Sequence, residues 1–345
     1  MTDNGWVRKT VAVLSLALLV SCAPGRSNDA AQSRKSPVAP VVQNALNGPA
    51  AVLIDPVPLP AVTTTVAPST AEVIVVIDGT LRSALVHTPE QIVSDTTPAK
   101  LMPLVIALHG SDGSGADMEA LTGFDEVADR ESFIVAYADG LLADAGYGLA
   151  RSWNSGGCCE PATSVGVDDV DFLSRLIDRL IERYPVDAER VFVVGHSNGA
   201  IMAQKLGCRM ADRLAGIVSV SGALDDTQSC QPDRAVPFLE IHGTYDANVS
   251  FGAGESSVTA WRSFNRCTYR SEQTSDGAVS TTTWDECAND AKVAFISIDG
   301  AEHPWPSRRT PTNDDLRVSF ALDATEATWA FFSSVSPVQT ASNRG

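Results

Sequence analysis

The sequence predicts an α/β fold in which a mostly parallel sheet carries helices on both faces. Short β-branched runs alternate with longer amphipathic stretches over most of the chain. The first two of these runs follow each other without an intervening helix, which predicts an antiparallel start to the sheet. With 44% hydrophobic residues in 345, the chain has enough apolar material for a packed core. A single domain accounts for all of these elements.

The individual elements follow from local pattern. Strands are predicted where apolar, β-branched runs are too short for a helix, at residues 72–77, 83–87, 103–108, 133–137, 190–194, 215–220, 237–241 and 292–298. Helices are predicted where apolar residues recur at helical spacing, at residues 118–130, 168–184, 198–211, 256–264 and 316–333. The predicted domain therefore covers residues 72–335, and residues 336–345 form a flexible tail.

The N-terminus predicts export. Arg8 and Lys9 precede an uncharged apolar run, a pattern typical of a signal peptide. The run is shorter than the roughly 20 apolar residues that span a bilayer. It ends in Leu-Val-Ser before Cys22, which resembles the bacterial lipoprotein signal. We expect residues 1–21 to be removed, Cys22 to be lipidated, and the protein to be anchored at the outer face of the bacterial cell membrane or secreted.

Composition limits the partners. Residues 22–71 are rich in Pro, Ala and Thr without a period, which predicts a disordered tether between the anchor and the domain. A formal net charge of −17 disfavours nucleic acid and anionic lipid headgroups. Membrane contact is therefore expected only through the lipid, and the sequence indicates no oligomeric state.

The chain has seven cysteines, and assigning Cys22 to the lipid leaves an even number in an exported protein. Three disulfides are therefore expected. A zinc site is the alternative, but no Cys-x-x-Cys or spaced histidine pair supports it, and no metal is predicted. Sequence proximity favours the pairs Cys208–Cys230 and Cys267–Cys287, and it leaves Cys158 and Cys159 as a vicinal pair or two free thiols.

A nucleophile is predicted at Ser197. The apolar run 191–194 is followed by Gly-His-Ser-Asn-Gly at 195–199 and then by a helical stretch. Strand, tight turn and helix in this order form a nucleophile elbow, in which the glycines relieve crowding and the bend exposes the hydroxyl. The alternative is a turn with only a structural role.

A serine hydroxyl needs a base, and the base needs an orienting carboxylate. Asp246 follows the predicted strand 237–241, and His303 follows the strand 292–298, so both lie at the sheet edge where Ser197 is expected. Of the five histidines, only His303 lies in a loop towards the C-terminal end of the predicted domain, where the base is expected. Asp246 as a mere turn former is one alternative. The other candidates for the orienting carboxylate are Asp225, Asp226 and Asp290.

Two backbone N–H groups, those of Ser111 and Asn198, are predicted to bind the oxyanion. The glycine-rich loop around Ser111 has no lysine and no Walker spacing, which disfavours a phosphate site. Trp153 and Trp305 are candidates for a platform under a phenolic ring or sugar face, with ordinary packing as the alternative. The irregular stretch 141–163 predicts a short cap that selects the substrate.

These residues resemble a known family. The region 73–332 is similar to the secreted polyhydroxybutyrate depolymerase-like esterases, which are related to feruloyl and acetylxylan esterases of carbohydrate esterase family 1 in the α/β-hydrolase superfamily. The resemblance implies the triad Ser197, Asp246 and His303, with no metal or cofactor. The matching segments are 108–110, 152–159, 168–173, 195–200, 241–246, 261–267 and 303–306.

The sequence departs from this family at two points. Ala301, Glu302 and Pro304 flank His303 where the family usually has Gly-Gly-His-Thr-Trp-Pro. No polymer-binding or carbohydrate-binding module is recognisable, which weakens the case for an insoluble polymer as substrate. The prediction is thus an extracellular serine carboxylic ester hydrolase acting through an acyl-enzyme. The alternatives are a non-catalytic cell-surface binding protein on the same fold and a serine peptidase.

Overall fold

The computed structural model describes residues 63–77, 79–94, 100–225, 227–308 and 320–338. The chain divides into two units, residues 1–58 and 59–345, and every described residue belongs to the second unit. The predicted signal peptide, Cys22, most of the tether, Asp226 and most of the C-terminal tail lie outside the described residues. The predictions for those segments stay predictions.

The described elements alternate as the sequence pattern predicts. The strands are β1 (Thr63–Val66), β2 (Ser69–Ile77), β3 (Thr80–Thr88), β4 (Gln91–Ser94), β5 (Met102–Leu108), β6 (Ile134–Ala138), β7 (Leu141–Asp144), β8 (Leu149–Ser152), β9 (Val186–His196), β10 (Gly216–Val220), β11 (Phe238–Gly243), β12 (Glu272–Asp276), β13 (Val279–Trp284) and β14 (Val293–Ile298). The helices are α1 (Gly115–Thr122), α2 (Phe124–Glu131), α3 (Ala162–Val165), α4 (Asp169–Arg183), α5 (Asn198–Arg209), α6 (Phe251–Phe264) and α7 (Ala324–Ser333), and a 3₁₀ turn covers Ala288–Asp290.

Ten strands form the central sheet, in the order β12-β13-β14-β11-β10-β9-β5-β6-β3-β2. The six strands from β14 to β6 run parallel, and β2 and β3 add an antiparallel edge. This arrangement confirms the predicted mostly parallel sheet with an antiparallel start. An antiparallel hairpin, β12–β13, extends the other edge. It was not predicted because its strands are polar and largely exposed.

The core lies on both faces of this sheet. Along β5, Leu104, Ile106 and Leu108 pack with α4, α5 and α6, whereas Val105 and Ala107 pack with α1, α2 and α7. Successive strand side chains point to opposite faces, so a strand covered on both sides must be apolar throughout. That requirement explains why the short apolar runs in the sequence mark the parallel strands.

Three predicted helices differ from the structure. The helix predicted over 256–264 begins earlier, at Phe251. The stretch predicted as one helix over 118–130 contains α1 and α2, which meet at Gly123. Gly123 has φ 60°, and its N–H donates to the Glu119 carbonyl oxygen, as at a left-handed helix C-cap. The last helix begins at Ala324 rather than near 316, because the Asp323 carboxylate accepts from the backbone N–H groups of the first turn.

The predicted cap over 141–163 contains the hairpin β7–β8 and the short helix α3. The two predicted pairs, Cys208–Cys230 and Cys267–Cys287, are disulfides in the structure. Of the two alternatives left open for Cys158 and Cys159, the structure has the vicinal disulfide. Within the described ranges, no helix is both long enough and apolar enough to span a bilayer.

Candidate active site

The loop at 195–199 is an elbow between β9 and α5. Ser197 has φ 53° and ψ −119°, a backbone conformation that is strained for a residue with a side chain. A Cβ on Gly195 would meet the backbone of Gly199, and a Cβ on Gly199 would meet the backbone of Leu108. Both glycines are therefore required by crowding, as the sequence pattern predicts. The bend leaves the Ser197 hydroxyl at the carboxyl edge of the sheet.

Strand register brings the two partners to the same edge. His196 at the end of β9 pairs with Val220 of β10, and Gly243 at the end of β11 pairs with Ile298 of β14. The loops that follow β9, β11 and β14 therefore meet where the parallel strands end. These loops carry Ser197, Asp246 and His303.

The three predicted side chains form one chain of hydrogen bonds. His303 Nδ1–H donates to Asp246 Oδ2 at 2.8 Å, because a carboxylate can only accept. The other ring nitrogen, Nε2, is then free to accept from the Ser197 hydroxyl, also at 2.8 Å. The imidazole is therefore held in the tautomer that can take a proton from the serine.

Asp246 is held on both oxygens. Its Oδ1 accepts from the backbone N–H groups of Asn248 and Val249, each at 2.9 Å, and its side chain is fully buried. Burial opposes ionisation, but bonds with His242 and His303 outweigh it and hold the pKa of Asp246 below its ordinary value. The carboxylate is therefore ionised and fixed in orientation.

The loop after β5 holds the Gly110–Ser111 peptide in a fixed orientation. The Gly110 carbonyl oxygen accepts from His109 Nδ1 at 2.6 Å and from the Gly113 N–H at 3.2 Å. Because the N–H and C=O of a trans peptide point in opposite directions, the Ser111 N–H faces away from those partners. No hydrogen bond among the described residues engages this N–H.

His109 fixes that peptide through its tautomer. Its Nε2 accepts from the Gly140 N–H at 2.9 Å, so the proton is on Nδ1, which donates to Gly110. Burial lowers the pKa of His109 and favours the neutral ring. The ring thereby ties the Ser111 loop to the segment after β6.

Asn198 begins α5, so its N–H has no acceptor within the helix. Its side chain holds Trp153: Oδ1 accepts from the Trp153 N–H at 2.8 Å, and Nδ2 donates to the Trp153 carbonyl oxygen at 3.1 Å. The side chain is thus occupied in joining the Trp153 backbone to the elbow. The backbone N–H of Asn198 lies in the first turn of α5, where N–H groups have no acceptor within the helix.

A cavity of about 410 Å³ opens over these groups. It brings together Ser111, Ser197 and His303, and most of its remaining wall comes from the loop after β5 and from α1. The lining residues are His109, Gly110, Ser111, Asp112, Gly113, Asp117, Met118, Leu121, His196, Ser197, Asn248 and His303.

The predicted aromatic platform is wrong, because Trp153 and Trp305 are both fully buried. The Trp153 indole N–H donates to the His109 carbonyl oxygen at 3.0 Å, so the ring supports the Ser111 loop from below. Trp305 packs edge-on against His196 and Phe124. The alternative of ordinary packing accounts for both.

The two rival carboxylates among the described residues, Asp225 and Asp290, are not hydrogen-bonded to His303, whose Nδ1 donates to Asp246. Asp225 accepts from the Gly157 N–H at 3.2 Å, Asp290 lies in the 3₁₀ turn, and Asp226 is outside the described residues. Glu302, which replaces a glycine of the family pattern, is exposed.

Two further histidines at the site were not predicted to have a role there. His196 Nε2–H donates to the His303 carbonyl oxygen at 3.0 Å, and burial lowers the pKa of His196 to about 4. His242 contacts Asp246 and Glu240. The available signal was spacing, since Glu240 and His242 share one face of a strand and Asp246 follows four residues later. Pattern alone predicted only a buried strand there.

Comparison with known proteins agrees with this geometry. Residues 87–286 match the sequence model of the phospholipase/carboxylesterase family. The chain belongs to this family. Feruloyl esterase B of Piromyces equi is 28% identical over 61% of the chain and 41% of its own length. The putative esterase NocK of Nocardia uniformis subsp. tsuyamanensis is 28% identical over 86% of the chain and 90% of its length.

A poly(3-hydroxybutyrate) depolymerase of Ralstonia pickettii is 24% identical over 69% of the chain and 54% of that protein. Among solved structures, an acetyl xylan esterase from Aspergillus awamori aligns with a TM-score of 0.56 and 14% identity, covering 76% of the chain and 99% of that protein. The fold is therefore the α/β-hydrolase fold. The predicted likeness to depolymerase-like and feruloyl esterases is confirmed, as is the predicted enzyme class, the carboxylic ester hydrolases.

Proposed function

We propose that this chain is an extracellular serine carboxylic ester hydrolase with Ser197 as nucleophile, His303 as general base and Asp246 as the residue that orients the base. The observation that carries the proposal is the unbroken hydrogen-bond chain from Ser197 through His303 to Asp246, with 2.8 Å at each step. Membership of the carboxylesterase family supports the reaction class.

The reaction proceeds in two displacements. His303 Nε2 takes the Ser197 proton as Oγ attacks the ester carbonyl, and the same proton then goes to the leaving alcohol as its C–O bond breaks. In the second half His303 Nε2 takes a proton from a water molecule, whose oxygen attacks the acyl carbonyl. The bond from that carbonyl to Ser197 Oγ then breaks, and His303 returns the proton to Oγ as the acid leaves. Asp246 stays ionised and stabilises the imidazolium formed in each half.

The oxyanion of each tetrahedral intermediate is assigned to the N–H groups of Ser111 and Asn198. One such donor typically stabilises the transition state by about 3 kcal/mol. The unengaged Ser111 N–H and the start of α5 support this assignment. Both donors belong to backbone that other contacts hold rigid, so little reorganisation is needed when charge develops.

The substrate class is proposed from the relatives. Names of related proteins refer to feruloyl, acetylxylan and 3-hydroxybutyrate esters, all of which release a small acyl group or a short hydroxy acid. A cavity of about 410 Å³ suits an acyl group of this size. Export is supported by the N-terminal signal pattern and by three disulfides, and lipidation at Cys22 is proposed from the same pattern.

The test compares Ser197→Ala with the matched control Ser174→Ala, a serine on α4 outside the cavity. With p-nitrophenyl acetate we expect Ser197→Ala to lose at least about 1,000-fold in kcat and the control to keep its rate. A panel of methyl ferulate, acetylated xylan and polyhydroxybutyrate then ranks the natural ester classes.

The alternatives give distinct outcomes. Undiminished turnover by Ser197→Ala would overturn the proposal. Failure of the wild-type protein to react with a fluorophosphonate would favour a binding protein. Faster cleavage of a p-nitroanilide than of the ester with the same acyl group would favour a peptidase.

A further inference from the structure

A second imidazole touches the orienting carboxylate from behind. His242, on β11, places Nε2 at 3.4 Å from Asp246 Oδ2, the oxygen that also accepts from His303. Its Nδ1 lies 2.9 Å from Glu240 Oε1. The side chains of His242, Glu240 and Asp246 are all completely buried.

The partners of His242 define its protonation. Nε2 donates to the Val249 carbonyl oxygen at 2.9 Å, and since a carbonyl can only accept, Nε2 must carry a proton. Although burial opposes the charged form, the bonds to Asp246 and Glu240 raise the pKa of His242 to about 10. One proton lies between Nδ1 and Glu240 Oε1, which are 2.9 Å apart. Burial raises the pKa of Glu240, but a second buried carboxylate, Asp246, contacts the ring at its other nitrogen and favours the charged imidazole, so we assign this proton to Nδ1.

No other ionisable group among those packed on the ring competes with these carboxylates. On the neighbouring strands, Ser297 of β14 is in register with His242, and Ser219 of β10 is in register with Glu240. Helix α6 contributes Gly254 and Phe251, the latter edge-on to the ring at 6.1 Å. The titratable groups that face His242 are therefore Glu240 and Asp246, with His303 beyond Asp246.

The fold is built to admit this ring. A Cβ on Gly254 would lie 2.5 Å from His242 Nδ1, so only glycine lets α6 approach so closely. Glu240 is in turn bonded through Ser219, whose Oγ accepts from Gln204 at 3.0 Å. A buried polar chain thus runs from α5 through Glu240 and His242 to the carboxylate of the triad.

We propose that His242 is a positioning residue, a permanently protonated imidazole that fixes Asp246 Oδ2 for His303 and offsets part of the Asp246 charge. The inference rests on the proposed function, because it assigns a role within that triad. An ionised Asp246 stabilises the protonated, inactive form of His303 in the free enzyme. A cation behind Asp246 weakens that stabilisation, so the base stays available at lower pH.

The experiment measures kcat/KM for p-nitrophenyl acetate from pH 4.5 to 8.5 in wild type, His242→Gln and a matched control, His87→Gln. His87 is also a buried histidine beside carboxylates, Asp125 and Asp129, but it lies on β3. Glutamine keeps an N–H donor and removes the charge. Each protein is first checked for a cooperative unfolding transition.

We expect the acid limb of the His242→Gln profile to move upward by about half to one pH unit. This shift is smaller than the loss of one positive charge alone would cause, because buried Glu240 is expected to take up a proton, and so lose its negative charge, once the imidazolium is removed. At the plateau kcat falls by about 3- to 10-fold with KM little changed, since Asp246 keeps its two backbone donors. The control profile should superimpose on wild type.

A purely structural role would lower stability or the active fraction without moving the acid limb, and an unshifted His242→Gln profile would overturn the proposal. If that variant does not fold, the protonation state of His242 is measured instead, by ¹⁵N NMR of wild-type protein labelled at its histidines. We expect both ring nitrogens of His242 to stay protonated from pH 6 to about 9; a neutral ring at pH 7 would overturn the proposal. The proposed function is tested separately, by the activity of Ser197→Ala in the same assay, so its failure can be distinguished from failure of the proposal for His242.

Discussion

Lowering the pH should reduce the free energy of unfolding, because His196 is neutral in the folded protein and takes up a proton more readily when the chain is unfolded. His196 is the last residue of β9, and its Nε2–H donates to the His303 carbonyl oxygen at 3.0 Å. Burial, followed by the proximity of His303, lowers the pKa of His196 from 6.5 to about 4. A group whose pKa is depressed by folding contributes stability that is complete above its unfolded pKa and is lost as pH falls towards the folded value.

The magnitude follows from the size of the shift. One pKa unit corresponds to about 1.4 kcal/mol, so a full shift from 6.5 to about 4 is worth about 3 kcal/mol. Because the ring borders the open cavity, screening reduces this contribution to about 2 kcal/mol. The loss should develop between about pH 6.5 and pH 4, with more than half of it complete by pH 5.

The assay is urea unfolding of wild type and His196→Gln at pH 7.5, 6, 5 and 4, followed by tryptophan fluorescence with the disulfides intact. Glutamine keeps the donor to His303 but does not titrate. We expect the difference in unfolding free energy between the two proteins to be constant above pH 7 and to shift by about 2 kcal/mol in favour of the variant at pH 4. If the difference in unfolding free energy stayed constant down to pH 4, His196 would not contribute the predicted pH-dependent stability.

Two further predictions concern stability away from the site. Arg82 donates to the buried Asp169 carboxylate at 2.7 Å, so Arg82→Met should lower the free energy of unfolding by about 3 kcal/mol in chemical denaturation. Adding Asp169→Leu should recover part of that loss, because it removes the unpaired buried charge. A double variant less stable than the single one would contradict this prediction. Replacing Cys208 and Cys230 by alanine removes a cross-link between residues 22 apart and should cost about 3 kcal/mol, whereas an unchanged urea midpoint would show that this disulfide does not stabilise the domain.

The three residues of the proposed triad could be predicted because the sequence pattern shows where the parallel strands end. Apolar runs mark the parallel strands, and in a parallel sheet the loops after their carboxyl ends share one edge. Ser197, Asp246 and His303 each follow such a run, so topology brings them together without any long-range information.

Other features depended on tertiary burial, which local pattern does not report. An amphipathic pattern runs through Gly123, so the break between α1 and α2 depends on a left-handed glycine rather than on periodicity. Trp153 and Trp305 stand beside site residues in the chain but point into the core. Glu240 and His242 are ionisable residues in a strand whose pattern predicts only apolar burial, and the packed structure is needed to show that they are paired.

The central claim is that Ser197 forms an acyl-enzyme. The most direct measurement is mass spectrometry of the intact protein and its proteolytic peptides, after rapid acid quenching of a reaction with a p-nitrophenyl ester that is deacylated slowly. We expect one added acyl group, on the peptide that contains Ser197, and none in Ser197→Ala. An acyl group on another residue, or steady turnover in wild type without any adduct even when deacylation limits the rate, would contradict it.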